Sequence, residues 1–378
     1  MSMRVLIIAD EAFATRERGM LSRLEVGLID EGVRVVQALP ESDTSAVDFT
    51  ELFSPVVRYS PRTVAIVRAF AARKLLRSLA DRLGEDDDGR FDFVHVFGGS
   101  AWGLGEEIAR ILGATLILEI WRPGLIPRAQ EVARRMKKFD SHDEPVLFAP
   151  DPSIEQAATE SGALVRLAPW GVHVPDRSGV DKIAEHTRSI MLVGNARDVK
   201  AFTTAFVGLV EATQYERSAL IFCDAIAATR AGLWTIAKKM GALERLTLID
   251  TLETRRDLLL QGDLLVHPDS HGEQRSIVLE AMAAGMVVVA AKDRFFSTLI
   301  DGKTALIVDR SDPAAWKAAI SAALTNSSLA TSISAQAATH MRAHRPASAH
   351  VRKVLANYEW IAGRSSIPFP VSKSGSSS

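Results

Sequence analysis

The sequence predicts an α/β protein built as two parallel-sheet domains, and three observations carry that prediction. Short apolar runs alternate with longer stretches of helical period from the first residues onward, the rhythm of βαβ units. The chain has 378 residues, too long for one ordinary core when domains commonly run to roughly 150. Near the middle, Pro169-Trp170-Gly171-Val172-His173-Val174-Pro175-Asp176 interrupts the alternation with two prolines and a glycine.

The first strand is Val5-Leu6-Ile7-Ile8-Ala9, an unbroken apolar run of the kind a parallel strand covered on both faces requires. Runs of the same character follow at 33–38, 93–97, 115–119, 146–149 and 164–167, each separated from the next by enough residues for a crossover. The second half repeats the pattern at 189–193, 218–222, 246–249, 264–267, 286–290 and 305–308. Helical periodicity then continues at 313–324, 329–341 and 348–361 with no strand between. The break at 169–176 assigns residues 1–168 to one domain and 176–346 to the other. The end, 363–378, is expected to be a flexible tail, because Ser372 to Ser378 are too polar to offset the entropy of ordering.

Composition narrows the function classes. Apolar residues make up 47% and charged residues 24%, which is ordinary for a globular protein. No apolar run approaches the roughly 20 residues needed to span a bilayer. The opening Met1-Ser2-Met3-Arg4 leads straight into the first strand with no cleavage-site pattern, so a cytoplasmic location is expected. The single cysteine, Cys223, excludes an intrachain disulfide and any cysteine-cluster metal site, and its apolar neighbours Leu220, Ile221 and Phe222 place it in a buried strand. A net charge of −1 removes the broad electrostatic reason to expect nucleic acid.

Local charge is less even. Arg58, Arg62, Arg68, Arg73, Lys74, Arg77 and Arg82 gather against the single acid Asp81, and Arg134-Arg135-Met136-Lys137-Lys138 adds a second cluster. With Val64, Val67, Phe70, Leu75 and Leu79, the first set has the spacing of a basic amphipathic helix able to rest on anionic lipid, although a solvated helix face has the same pattern. Asp86-Asp87-Asp88, beside Gly84, Glu85 and Gly89, is an exposed acidic loop rather than a metal motif.

One stretch carries more functional information than the rest. From Asp263-Leu264-Leu265-Val266-His267-Pro268 to Gly285-Met286-Val287-Val288-Val289 the chain runs strand, polar turn, helix, glycine, strand. A helix start fed by the turn at Gly272 offers unpaired N–H groups and a positive dipole end to a phosphate. Glu280, further along that helix, is suited to accept hydrogen bonds from a ribose diol. This is the outline of a nucleoside-diphosphate site.

At these residues the chain resembles the retaining glycosyltransferases of the GT-B fold, the group related to glycogen and sucrose-phosphate synthases. Leu279-Glu280-Ala281-Met282-Ala283-Ala284-Gly285 followed by Val287-Val288-Val289-Ala290 fits that family's Glu-Ala-Met-Ala-x-Gly-x-Pro-Val-Val-Ala pattern. The family's first glutamate falls eight positions before the second, where this chain has Gly272, with Glu273 one residue late. The resemblance implies two Rossmann-like domains facing across a cleft: an acceptor domain at 1–168, a nucleotide-sugar donor domain at 176–346, and a C-terminal helix at 347–362 crossing back to the first domain.

Site residues follow from the same resemblance. Ile190-Met191-Leu192-Val193-Gly194 with Lys200 matches the strand, Gly-Arg turn and lysine that neutralise a leaving diphosphate, but Asn195 stands in the arginine's place and Arg197 is the nearest substitute. Arg275 offers a second fork of donors where the family has small residues. The chemistry is thus expected at Lys200, Glu273 and Arg275. Donor contacts are expected from Gly194, Asn195, Arg197, Lys200, Gly272, Ser276, Ile277 and Glu280. On the acceptor or sugar side the resemblance points to Thr15, His95, Gly98, Trp121 and Arg122. Here Phe97 replaces a second histidine, Trp121 replaces the histidine that meets the donor sugar, and Ala14-Thr15-Arg16-Glu17-Arg18 keeps Glu17-Arg18 without the family's glycine pair.

The implied activity is transfer of a sugar from a nucleoside-diphosphate sugar to an acceptor hydroxyl with retention at the anomeric carbon. The resemblance implies no cofactor and no metal, a saccharide or lipid-linked acceptor, a role in polysaccharide or glycoconjugate synthesis, and peripheral contact with the inner face of a membrane. Two alternatives stand beside it: a GT-B protein that has lost transfer chemistry and serves as a binding or partner subunit, and a nucleotide-sugar epimerase on the same scaffold.

Overall fold

The computed structural model describes residues 3–41, 54–61, 67–84, 89–138, 144–175, 188–215, 218–259, 261–269 and 271–365. The Asp86-Asp87-Asp88 loop, the tail after 365, and Arg62 and Val64 of the basic segment lie outside the described residues.

The first domain winds through β1 (Arg4–Ala9), α1 (Glu11–Arg16), α2 (Arg18–Asp30), β2 (Arg34–Pro40), β3 (Val56–Tyr59), α3 (Arg68–Leu83), β4 (Phe93–Phe97), α4 (Trp102–Leu112), β5 (Thr115–Glu119), α5 (Ile126–Lys138), β6 (Val146–Ala149), α6 (Pro152–Glu160) and β7 (Val165–Leu167). Its seven strands are ordered β3-β2-β1-β4-β5-β6-β7, and every pairing is parallel. The order reverses between β1 and β4, where open α/β sheets form a crevice at the carboxyl ends of their strands. Full burial of β1, β4, β5 and β6 explains their continuous apolar sequences. The edge strand β3 is not foreseen from the sequence, because Val56-Val57-Arg58-Tyr59 is short and carries an internal arginine.

The second domain follows with β8 (Ser189–Leu192), α7 (Val199–Ala212), β9 (Leu220–Asp224), α8 (Ala225–Ala231), α9 (Leu233–Lys239), β10 (Leu246–Ile249), α10 (Arg256–Leu259), β11 (Leu264–His267), α11 (Ser276–Ala283), β12 (Val287–Ala291), β13 (Leu306–Val308), α12 (Pro313–Thr325) and α13 (Ser327–His344). Its strands are parallel in the order β10-β9-β8-β11-β12-β13, with the reversal between β8 and β11. Alternate residues divide between two cores: Met191, Leu265 and Val288 join the apolar cluster shared with the first domain, whereas Ile190, Leu264 and Val287 face the cluster under α7 and α12.

The closing helix α14 (Ala347–Ser365) returns to the first domain and lies on α2. Gly27 makes that contact feasible, since a Cβ there would come within 2.4 Å of Val351 Cγ2. Further along α14, the Tyr358 hydroxyl lies 2.8 Å from His95 Nδ1, and Asn357 donates to the Leu167 carbonyl at 3.0 Å. The chain therefore passes between the domains twice, and the two passages lie side by side. Val172 N–H donates to the Arg345 carbonyl at 2.8 Å, and Ala347 N–H to the Val172 carbonyl at 3.0 Å.

Candidate functional site

The carboxyl ends of both sheets converge on a cavity of about 610 Å³ between the domains. From the first domain it is lined by Glu11, Ala12, Thr15 and Arg16 of α1 and by Ser100 in the turn after β4. The second domain contributes Gly194, Asn195 and Arg197 after β8, Asp224, Ile226, Ala227 and Arg230 at β9 and α8, Thr251, Glu253 and Thr254 after β10, and Arg275 before α11. Both strand-order reversals thus open onto one space.

Local sequence fixes these walls. Asp10 accepts from Phe13 N–H at 3.0 Å, capping α1, and from the Ser100 hydroxyl at 2.9 Å, so the turns after β1 and β4 are tied together. Asp269 does the same for the second sheet, accepting from Asn195 N–H at 2.5 Å. Only glycine fits at 194, where φ is 144° and a Cβ would lie 2.6 Å from Asp269 Oδ2.

Charge dominates the chemistry. Glu273 receives Arg275 at 2.7 Å, Arg197 at 3.4 Å and Arg16 at 3.9 Å, and the Asn195 amide at 3.2 Å. Arg275 also grips Glu253. Burial alone would raise the Glu273 and Glu253 carboxyls, but Arg275, with its neighbouring arginines, overrides it and holds both below their ordinary range. Burial opposes the Arg275 charge too, yet Glu253, Glu273 and Glu17 outweigh it and raise its pKa. A second set lies at the start of α11. Glu17 accepts the Ser276 N–H at 3.1 Å, Arg256 donates to the Ser276 hydroxyl at 3.0 Å, and Glu280 is held by Arg23 at 2.6 Å and Arg256 at 3.2 Å.

Residues 187–326 match the family model described as Glycosyl transferases group 1. No curated protein matches the chain by sequence. Solved structures align over nearly its whole length. The sucrose-phosphate synthase of Thermosynechococcus elongatus superposes with a TM-score of 0.71 at 13% identity, covering 96% of this chain and 100% of that one. HepE of Anabaena, in a complex with UDP and glucose, gives 0.69 at 13%, covering 95% and 100%. The trehalose-6-phosphate synthase of Burkholderia multivorans gives 0.67 at 13%, covering 97% and 100%. The fold is GT-B. The resemblance seen in the sequence is to the right family of structures.

Against this GT-B frame the expected residues divide. Thr15, Gly194, Asn195, Arg197 and Arg275 line the cavity. Glu273 stands behind its arginines, 7% exposed. Lys200, the second residue of α7, is exposed and does not line the cavity. Glu280 does not line it either, being covered by Arg23 and Arg256, so one cavity wall does not bring Lys200 and Glu280 together. The Gly272 N–H donates to Asp293 at 2.6 Å, Ser276 is fully buried and Ile277 belongs to the apolar core.

On the other side of the cleft, His95 is wholly buried under α14, and burial pushes its imidazole down to about 3. Its Nε2 lies 3.5 Å from Glu119, which also accepts from the Trp170 indole at 2.6 Å. Gly98, with φ 93°, makes room for the Asp10 carboxylate. Trp121 packs edge-on against Phe13 at 5.7 Å, its carbonyl accepts from Gln274 N–H at 2.9 Å, and Arg122 lies over its ring. Neither residue lines the cavity, and Trp121 joins the domains through Gln274. Sequence reasoning missed Arg16, Glu253, Arg230 and Asp224 on the wall and Arg23 and Arg256 behind it. None belongs to a spaced motif, although Arg16 lies next to the Glu17-Arg18 pair that the sequence singled out.

Proposed function

We propose that this chain transfers a sugar from a nucleoside-diphosphate sugar to an acceptor hydroxyl, with the donor seated in the cavity between its GT-B domains. The observation that carries this reading is the arginine-rich wall at the junction of both strand-order reversals, where the Gly194-Asn195 turn, Arg197 and Arg275 meet. A departing diphosphate accumulates charge as the anomeric bond breaks, and fixed cations in a water-poor cleft stabilise it. In this reading Glu273 and Glu253 organise the arginines, and the stretch from Asp224 to Ala227 with Thr251 and Thr254 meets the nucleoside. Transfer is retaining, the acceptor hydroxyl entering on the face the diphosphate leaves and giving its proton to the leaving phosphate oxygen.

The acceptor in this reading is a saccharide or lipid-linked glycan, brought to the cleft at an anionic membrane surface. Along α3, Phe70 is 69% exposed and Val67, just before it, 45%, and Arg73, Lys74 and Arg77 continue the same stripe in solvent. At the start of α3, Arg68 packs on Gly103 of α4, three residues after the wall residue Ser100. Such a face suits anionic lipid headgroups.

One observation favours the alternative of a binding or partner subunit. The start of α11, where a donor phosphate would rest, is taken by Glu17, and Glu280 is taken by Arg23 and Arg256. Incubation with a panel of UDP, GDP and ADP sugars, read by thermal shift and by slow release of the free nucleotide, decides between them. Sugar transfer requires one donor to be both bound and turned over; binding without turnover assigns the partner role.

A further inference from the structure

Arg16 supplies a charge that the resemblance does not anticipate. It ends α1 of the first domain, yet its guanidinium lines the cavity built mostly by the second. Its contact with Glu273 at 3.9 Å is the longest of the three arginines on that carboxylate, after Arg275 at 2.7 Å and Arg197 at 3.4 Å. One carboxylate cannot neutralise three guanidiniums, and Glu253 is engaged by Arg275. Burial first, and then repulsion from Arg275, lowers the Arg16 pKa against the attraction of Glu253, Glu273 and Glu17. The corner between Arg16 and Arg197 thus holds two loosely paired cations, 3.9 and 3.4 Å from Glu273. It lies at the turn where Asn195 replaces the arginine of the family pattern.

The backbone carrying Arg16 is held firmly. Its carbonyl accepts from Arg256 at 2.8 Å, and the next residue, Glu17, caps α11 through the Ser276 N–H at 3.1 Å. Arg16 is thus anchored to the second domain at both its own backbone and its neighbour's side chain.

We propose that Arg16 binds the donor's diphosphate from across the cleft, supplying the cation that Asn195 cannot. The identity of the anion rests on the sugar-transfer reading. Because Arg16 belongs to the acceptor domain, the diphosphate is fully neutralised only while the two domains are together.

Calorimetry with UDP, GDP and ADP and the matching monophosphates tests this on the full chain. Arg16→Ala is expected to weaken the preferred diphosphate by about tenfold, the usual order for one charge-assisted contact, and the monophosphate by clearly less. Arg16→Lys, which keeps a point charge and the fold, should recover part of the loss. Diphosphate affinity unchanged in both variants overturns the role of Arg16 and leaves sugar transfer standing. Equal losses for mono- and diphosphate in both variants also overturn it, since they mark a merely structural residue. A wild-type chain that binds no nucleoside diphosphate overturns both readings.

Discussion

At the scale of single residues, the site is decided by which charges are already spent. Arg197 is 44% exposed at its side chain and lies 3.4 Å from Glu273, so it can turn to a ligand, whereas Arg275 is closed between two carboxylates. Arg197→Ala should therefore weaken nucleoside-diphosphate binding about tenfold, while Lys200→Ala, away from the cavity wall, should cost less than about threefold; calorimetry ranks the two. Glu119 gives a second expectation. Burial pushes its carboxyl up to about 8, so the folded state holds a proton that the unfolded chain has released above the ordinary carboxylate range. Stability from this group is complete below about pH 4.5 and is lost as pH rises to 8, at up to about 1.4 kcal/mol per pH unit. His95, pushed down to about 3, acts oppositely, its neutral form costing stability only below its ordinary pKa near 6.5. Between pH 6.5 and 8 Glu119 acts in the same direction as the other carboxyls that burial raises, Glu17, Glu25 and Asp269. Thermal melts should fall across that window, and Glu119→Gln should flatten the fall. Much of this was illegible in the sequence: His95 fits the family's strand-end motif, but it is the middle residue of β4 and Tyr358, far later in the chain, packs against it.

Elements were easier to foresee than contacts. Strands such as 93–97, 115–119 and 264–267 are read directly from mostly apolar runs, because burial on both faces favours apolar side chains. The motif around Glu280 located α11 correctly, yet it could not tell that α1 and α2 would cover that helix's first turn. Where helices meet, small residues decide. Ala at 27 gains roughly 1 kcal/mol of helix propensity, but its methyl meets the stiff, branched Val351 at 2.4 Å. Gly27→Ala should be destabilising by about 1–3 kcal/mol in denaturant melts, and Val351→Ala in the same chain should restore most of it. For α3, the exposed stripe predicts co-flotation with vesicles containing phosphatidylserine or phosphatidylglycerol but not with pure phosphatidylcholine. Replacing Arg73, Lys74 and Arg77 with glutamate should abolish it.

At the scale of the whole molecule, the domains are joined by ionic contacts and by a shared apolar cluster. Arg23 to Glu280 and Glu17 to Ser276 span the cleft. Removing the first with Arg23→Ala leaves a buried carboxylate with only Arg256 and should favour a more open arrangement, seen as a larger radius of gyration in small-angle X-ray scattering; added diphosphate should reverse it. The way the chain links the domains limits what opening can be. Val172 and Pro346 run alongside each other, Val172 hydrogen-bonded to Arg345 and Ala347 on either side, with Gly171 pressed against the Pro346 carbonyl. Two connectors fastened at one spot make a shared pivot, so any opening of the cleft would turn the domains about it and carry Arg16 away from Arg197.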